Sequence, residues 1–119
     1  MTIRTLIWHE HRHERTNKLV ADLYPQGMHG ALKKAFDGNK DFTVDTALLD
    51  DPEHGLSIDR LAKTDVLLWW GHTAHGDVKD EIVERVAEAV WSGMGVIFLH
   101  SAHFAKPFKR LMGAPCNLS

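Results

Sequence analysis

The run Val66-Leu67-Leu68-Trp69-Trp70 is the feature that most limits what this chain can fold into. Apolar residues without a polar interruption suit a strand buried on both faces of a parallel sheet, because a half-exposed strand would alternate. The run breaks at Gly71 and is followed by His72 and His75. Two further stretches repeat the plan. Gly95-Val96-Ile97-Phe98-Leu99 runs into His100-Ser101-Ala102-His103, and Ile3-Arg4-Thr5-Leu6-Ile7-Trp8 runs into His9-Glu10-His11-Arg12-His13-Glu14. Ligands of open α/β sheets bind outside the carboxyl ends of the strands. Three strand-like runs that each end in histidine therefore direct the search for function to those ends.

The intervening segments complete an alternating pattern. Residues 3–8 form a first strand and 9–14 a polar loop, while 15–24 read as a short helix or irregular excursion closed by Pro25. Met28, Ala31, Leu32, Ala35 and Phe36 share one helical face, and Gly38-Asn39 supplies a stop. Phe42, Val44, Thr46 and Leu48 alternate with polar or small residues, as in a second strand nearer a sheet edge. Residues 50–55 are rich in turn formers, and Ser57 can cap a short helix through about Lys63. After the strand at 65–70, a helix from about Lys79 to Ser92 buries Ile82, Val83, Val86, Ala89 and Val90. A last helix over 104–112 requires Pro107 in its first turn. Strand and helix alternate throughout, which predicts a single α/β domain over 1–119 with a three-layer parallel sheet.

Composition excludes several classes. With 119 residues, 44% apolar and 25% charged, the chain is an ordinary globular domain, and its net charge of −2 offers no nucleic-acid footprint. The lone Cys116 permits no intrachain disulfide, and no apolar run approaches the about 18 residues of a membrane helix. A cytoplasmic protein with neither a membrane nor a nucleic-acid partner is expected. There is no Gly-x-Gly-x-x-Gly after the first strand and no P-loop, so no nucleotide cofactor is expected. No Gly-x-Ser-x-Gly elbow surrounds Ser101, and Cys116, beside Pro115, is a poor nucleophile candidate.

The unusual quantity is nine histidines. Histidine is the commonest metal ligand and titrates nearest neutrality. His72/His75 and His100/His103 have the same i, i+3 spacing, which lets both rings share one side of a turn. Together they are candidate ligands for zinc or another divalent metal, with Glu10, His13 and Glu14 from the first strand's end completing the set. Without metal, His72, His100, His103, His13 and Glu14 can act as general acid and base on a sugar or carbonyl substrate. Glu10, His29 and Trp70 are candidate substrate contacts. Blander readings stand beside these. His9 and His11 read as solvated loop residues, His29 as helix packing and His54 as a structural residue in an acidic turn. Trp69 and Trp70 point to opposite faces of their strand and can both be core, while Lys106, Lys109 and Arg110 read as a solvated face.

Several of these motifs resemble the trehalose-utilisation (ThuA-like) family. They are Trp69-Trp70-Gly71-His72 with His75, Leu99-His100-Ser101 with His103-Phe104, Phe108-Lys109-Arg110-Leu111-Met112-Gly113, and Asp51-Pro52-Glu53-His54-Gly55-Leu56. Tyr24-Pro25 with Gly27-Met28-His29 and Arg12-His13-Glu14 fit the same pattern. The resemblance implies a flavodoxin-like fold of the class I glutamine amidotransferase-like type. It places Glu10, His13, Glu14, His29, His72, His75, His100 and His103 on the family's pattern, whereas His9 stands where asparagine is usual and His11 has no counterpart. Gly76 and Pro107 are also atypical. The superfamily's cysteine nucleophile is replaced by His100, so amidotransferase chemistry is not expected. The implied role is disaccharide or keto-sugar metabolism, as a sugar-directed hydrolase, lyase or isomerase, with a non-catalytic carbohydrate-binding or regulatory module as the alternative. Family members are about twice as long, so the resemblance covers an N-terminal half and implies further site residues beyond this chain. An unpaired sheet edge would then favour pairing with a second copy.

Overall fold

Leu6, Ile7, Trp8 and His9 are each at most 2% exposed, which places their strand at the centre of the molecule. This strand, β1 (Ile3–His9), lies between β2 (Phe42–Leu48) and β3 (Val66–Trp70), and β4 (Gly95–Phe98) extends the sheet beyond β3. The order is β2-β1-β3-β4 and every pairing is parallel. These statements come from a computed structural model that describes residues 2–113, so Cys116 lies outside the described residues. The all-parallel sheet with flanking helices is the α/β, flavodoxin-like arrangement expected from the sequence. β2 is an edge strand, with Thr43 and Asp45 exposed, as its alternation predicts.

Between β1 and β2 run α1 (His13–Thr16), α2 (Lys18–Leu23) and α3 (Gly27–Ala35). The single excursion expected over 15–24 is two helices because Asn17 intervenes. Its side-chain oxygen accepts the N–H groups of Leu19 at 3.0 Å and Val20 at 3.4 Å, which starts a second helix. α4 (Ile58–Ala62) precedes β3, α5 (Asp80–Trp91) joins β3 to β4, and α6 (Lys106–Met112) follows β4. Ser57 caps α4 through the Arg60 N–H at 3.1 Å, and Pro107 occupies the first turn of α6. Among the described residues, no helix is long and apolar enough to cross a membrane.

Alternation along β1 divides the core. Leu6 and Trp8 face α5, where Trp8 stacks on Trp69 with ring centroids 3.8 Å apart, packed with Leu67, Val78, Ile82 and Val86. A ring of this size buries ~150–250 Å², and at about 25 cal/mol per Å² each contributes roughly 4–6 kcal/mol before entropy is counted. On α5 the fully buried stripe includes Ala87, whereas Ala89 and Val90 are only partly buried. Ile7 and His9 face the other side, where α3 packs on β1 and β2. Only Met28, Leu32 and Phe36 of the expected α3 face are half-buried; Ala31 and Ala35 are exposed. From β1 the chain leaves first to β2 and then crosses to β3, so the carboxyl ends of β1 and β3 flank the topological switch point. His9 pairs in register with Trp70 there.

His54 is the structural residue expected from its turn. It lies in the 3-10 turn Pro52–Gly55, 8% exposed. Its Nδ1 donates to the Leu49 carbonyl at 2.7 Å, its Nε2 accepts the Lys79 N–H at 3.1 Å, and its own carbonyl accepts the Trp8 indole N–H at 3.1 Å. This neutral imidazole ties the β2 loop to the start of α5. Replacing His54 with Ala strands the Leu49 carbonyl and the Lys79 N–H, and is expected to lower stability by about 2–4 kcal/mol in denaturant unfolding.

Candidate functional site

Glu10 follows β1 directly and is 1% exposed. Its Oε1 accepts the backbone N–H groups of His72 and Thr73, each at 2.9 Å, and the Thr73 hydroxyl at 3.2 Å. Its Oε2 accepts the N–H of Ala74 at 2.7 Å and that of Thr73 at 3.2 Å. Burial pushes this carboxyl upward, but the donors of Thr73, Ala74 and His72 together outweigh it and hold the pKa below the usual value. Gly71 permits the close approach, since a Cβ there would lie 3.3 Å from His75 Nδ1 and 3.6 Å from Glu10 Oε2. Expected as a substrate contact, Glu10 instead spends both oxygens on fixing the loop after β3, where the loop's N–H groups converge on it.

The fixed loop brings His72 against the loop that follows β4. His72 Nδ1 is hydrogen-bonded to Ser101 Oγ, and the Trp70 indole N–H donates to the His100 carbonyl at 2.8 Å. The His13 ring lies 5.1 Å from His72 and 6.0 Å from Trp70, centroid to centroid. His72, Ser101, Trp70 and His13 therefore form one cluster at the switch point. His103 stacks near His100 at 5.9 Å and against Phe104 at 4.3 Å, and its Nδ1 is buried without a hydrogen-bond partner. His100 is exposed, and contributes its carbonyl rather than its ring to the contact with Trp70. His75 leans over Gly71 toward Phe104, and burial lowers its pKa more than the nearby Glu10 raises it. Among the described residues, His72, His75, His100 and His103 do not bring three ligand atoms within 4.8 Å of one another. Ser101 was weighed in the sequence only as a nucleophile in an elbow. Its place between His100 and His103, on the loop facing His72, was the available signal.

A second cluster adjoins the first at β1's end, where the His9 ring lies 4.8 Å from that of Trp70, centroid to centroid. His9 closes the strand at 1% exposure, so it is not the solvated loop residue its polar neighbours suggest. α3 carries His29 to it, with the two Nδ1 atoms 3.3 Å apart, and α1 carries Glu14, whose Oε2 is 3.5 Å from His9 Nδ1. His11 takes a left-handed backbone conformation, φ 52°, and its Nε2 comes within 3.6 Å of the same Glu14 oxygen. Its side chain is 28% exposed, again less than a solvated loop would leave it. Burial, followed by the neighbouring His29 and His11, lowers the His9 pKa to about 3, and burial lowers that of His29. Both imidazoles are thus neutral near pH 7. Glu14 and His29, expected at the catalytic and substrate contacts, belong to this cluster and not to that of His72. Arg12 forks onto both oxygens of Asp50 at 2.9 Å and donates to the Glu10 carbonyl at 3.0 Å, pinning the segment that carries both clusters. A groove of about 700 Å³ also opens at the amino ends of the strands, beside Arg4, Leu61, Asp65 and Met94, but no histidine lines it.

The fold and these clusters define an α/β protein whose polar site lies at the carboxyl ends of a flavodoxin-like sheet. The chain belongs to the ThuA family, described as trehalose utilisation, whose profile matches residues 4–118. Among curated proteins no match is found.

Gly27 tests the construction of the second cluster. It has φ +77°, and a Cβ would lie 2.4 Å from His29 Cε1 and 3.3 Å from Glu14 Oε2. Gly27→Ala is expected to destabilise by about 1–2 kcal/mol through the backbone alone. It should also displace the His29 ring, seen as a changed imidazole chemical shift in NMR.

Proposed function

We propose that the crevice formed by Trp70, His72, Ser101 and His13 binds a disaccharide or keto-sugar, and that His72 acts there as the acid–base group. The hydrogen bond between His72 Nδ1 and Ser101 Oγ carries this reading. The serine hydroxyl can accept from Nδ1–H or donate to Nδ1; in the tautomer with Nδ1–H donated, Nε2 holds the ring's lone pair and is the atom that takes a proton from a substrate hydroxyl or from carbon beside a carbonyl. A neighbour that aims the ring is what distinguishes a working imidazole from a surface one. Trp70, its N–H already bonded to the His100 carbonyl, offers a half-buried indole face of the kind on which a sugar's C–H face packs. The unpartnered Nδ1 of His103 is a further polar contact for a hydroxyl, and His13 can return the proton on the other side of the ring system. Membership of a trehalose-utilisation family supports the choice of saccharide as the ligand class. The resemblance to the amidotransferase superfamily implies that His100 stands at the nucleophile's position, and its exposed side chain supports acid–base chemistry over acyl transfer.

Calorimetric titration with trehalose, other disaccharides and their keto derivatives tests this directly. At least one should bind saturably to the unmodified chain. Trp70→Ala should weaken it about tenfold, the loss of roughly 1.4 kcal/mol of ring contact. His72→Ala should abolish turnover while changing affinity less. Binding with no turnover by any substrate would favour the carbohydrate-binding module, and binding unaffected by Trp70→Ala would place the sugar elsewhere.

A further inference from the structure

We infer that His9, Glu14 and His29 form a site for a divalent first-row transition ion of the zinc class, which adjoins the His72 cluster through Trp70 but shares no residue with it. Each of the three offers one ligand atom, and these atoms lie within 4.8 Å of one another. Two edges of this triangle have the length of a coordination shell, although the imidazole pair is also at hydrogen-bond distance. A tetrahedral ion with ligand bonds of ~2.0–2.1 Å separates its ligands by about 3.3–3.4 Å. His9 Nδ1 and His29 Nδ1 are 3.3 Å apart, and His9 Nδ1 and Glu14 Oε2 are 3.5 Å apart.

The second observation is independent of that geometry. The Glu14 side chain is 4% exposed, and both of its oxygens are buried without a hydrogen-bond partner. Taking a carboxylate out of water with no donor costs several kcal/mol, so a buried acidic group is normally paired, protonated or bound to a cation. Among the described residues no hydrogen bond reaches it, and the groups nearest Oε2 are imidazole nitrogens, of His9 at 3.5 Å and His11 at 3.6 Å. Contrast Glu10, equally buried, which accepts four donor groups through both oxygens. One chain thus treats two neighbouring carboxylates in opposite ways, and an ion supplies what Glu14 lacks. Two imidazoles and one carboxylate suit zinc and its first-row neighbours better than magnesium or calcium, which take oxygen shells. His11, partly exposed at the mouth of the cluster, stands where a fourth ligand or an entering ion would be. This site does not depend on the saccharide reading, since none of its residues is assigned a part in the His72 cluster.

The test uses the 119-residue chain, stripped with chelator and dialysed against Zn²⁺ or Co²⁺. Metal is counted by mass spectrometry, and the visible absorption of Co²⁺ reports its coordination. The unmodified chain should keep one ion, with a Co²⁺ band of four- or five-coordinate intensity, and Zn²⁺ should raise its melting temperature. Glu14→Gln and His29→Ala should each weaken binding at least about tenfold, whereas His72→Ala should keep the ion. Glu14→Gln removes a buried unpaired charge, so its metal-free form should melt no lower than the unmodified chain, which shows that it folds. The proposal is overturned if the unmodified chain keeps no ion and shows no zinc-dependent rise in melting temperature. It is overturned equally if both folded variants bind as the unmodified chain does, or if His72→Ala alone loses the metal.

Discussion

The carboxylate of Glu10 is the interaction on which the site depends. At the end of a parallel strand the backbone must leave the sheet, and the N–H groups of the first loop residues lose their ladder partners. After β3 those groups belong to His72, Thr73 and Ala74, and all three are collected by one side chain from β1. Hydrogen bonds to an ionised acceptor are worth about 1.5–3 kcal/mol each. The ensemble is strong enough to keep the acid charged at 1% exposure. Without it, nothing else in the described residues would hold the His72 backbone against β1, and the pairing of its ring with Ser101 would lack a fixed base.

Two adjacent residues at the end of β1 turn different ways and organise adjoining clusters. His9 turns toward α3 and meets His29 and Glu14; Glu10 turns beneath the β3 loop and positions His72. Both clusters lie at the carboxyl ends of the strands that flank the topological switch point. Short connections then bring each partner in. Arg12 and Arg15 hold Asp50, so that α1 and its Glu14 cannot drift from the strand ends. Gly27 lets α3 begin close enough for His29 to reach His9.

The strands and the sheet were legible because their signal is local: an uninterrupted apolar run for β3 and alternation for β2. The site was legible only in part. That histidines gather at the carboxyl ends follows from where the apolar runs stop, and His72 with Trp70 emerged from that logic. The partition into two clusters did not, because it depends on how α1 and α3 fold back. His9 was read as loop since its neighbours are polar, yet the strand includes it and α3 covers it. Glu14 beside His13 looked like one acid–base unit, but on a helix of four residues the two side chains diverge, one to His9 and the other to His72. Ser101 and the role of Glu10 rest on contacts between segments about thirty and sixty residues apart, which no local pattern encodes.

Amide hydrogen exchange in Glu10→Gln tests the account most directly. The substitution keeps the side chain's size and removes its charge and one acceptor oxygen. If Glu10 holds the site, the amides of His72, Thr73 and Ala74 should exchange at least about tenfold faster. Leu67 and Leu68 in β3 should keep their protection, and the His72 ring resonances should lose the signature of a fixed tautomer. Unchanged protection of the three loop amides, with His72 still paired to Ser101, would contradict it.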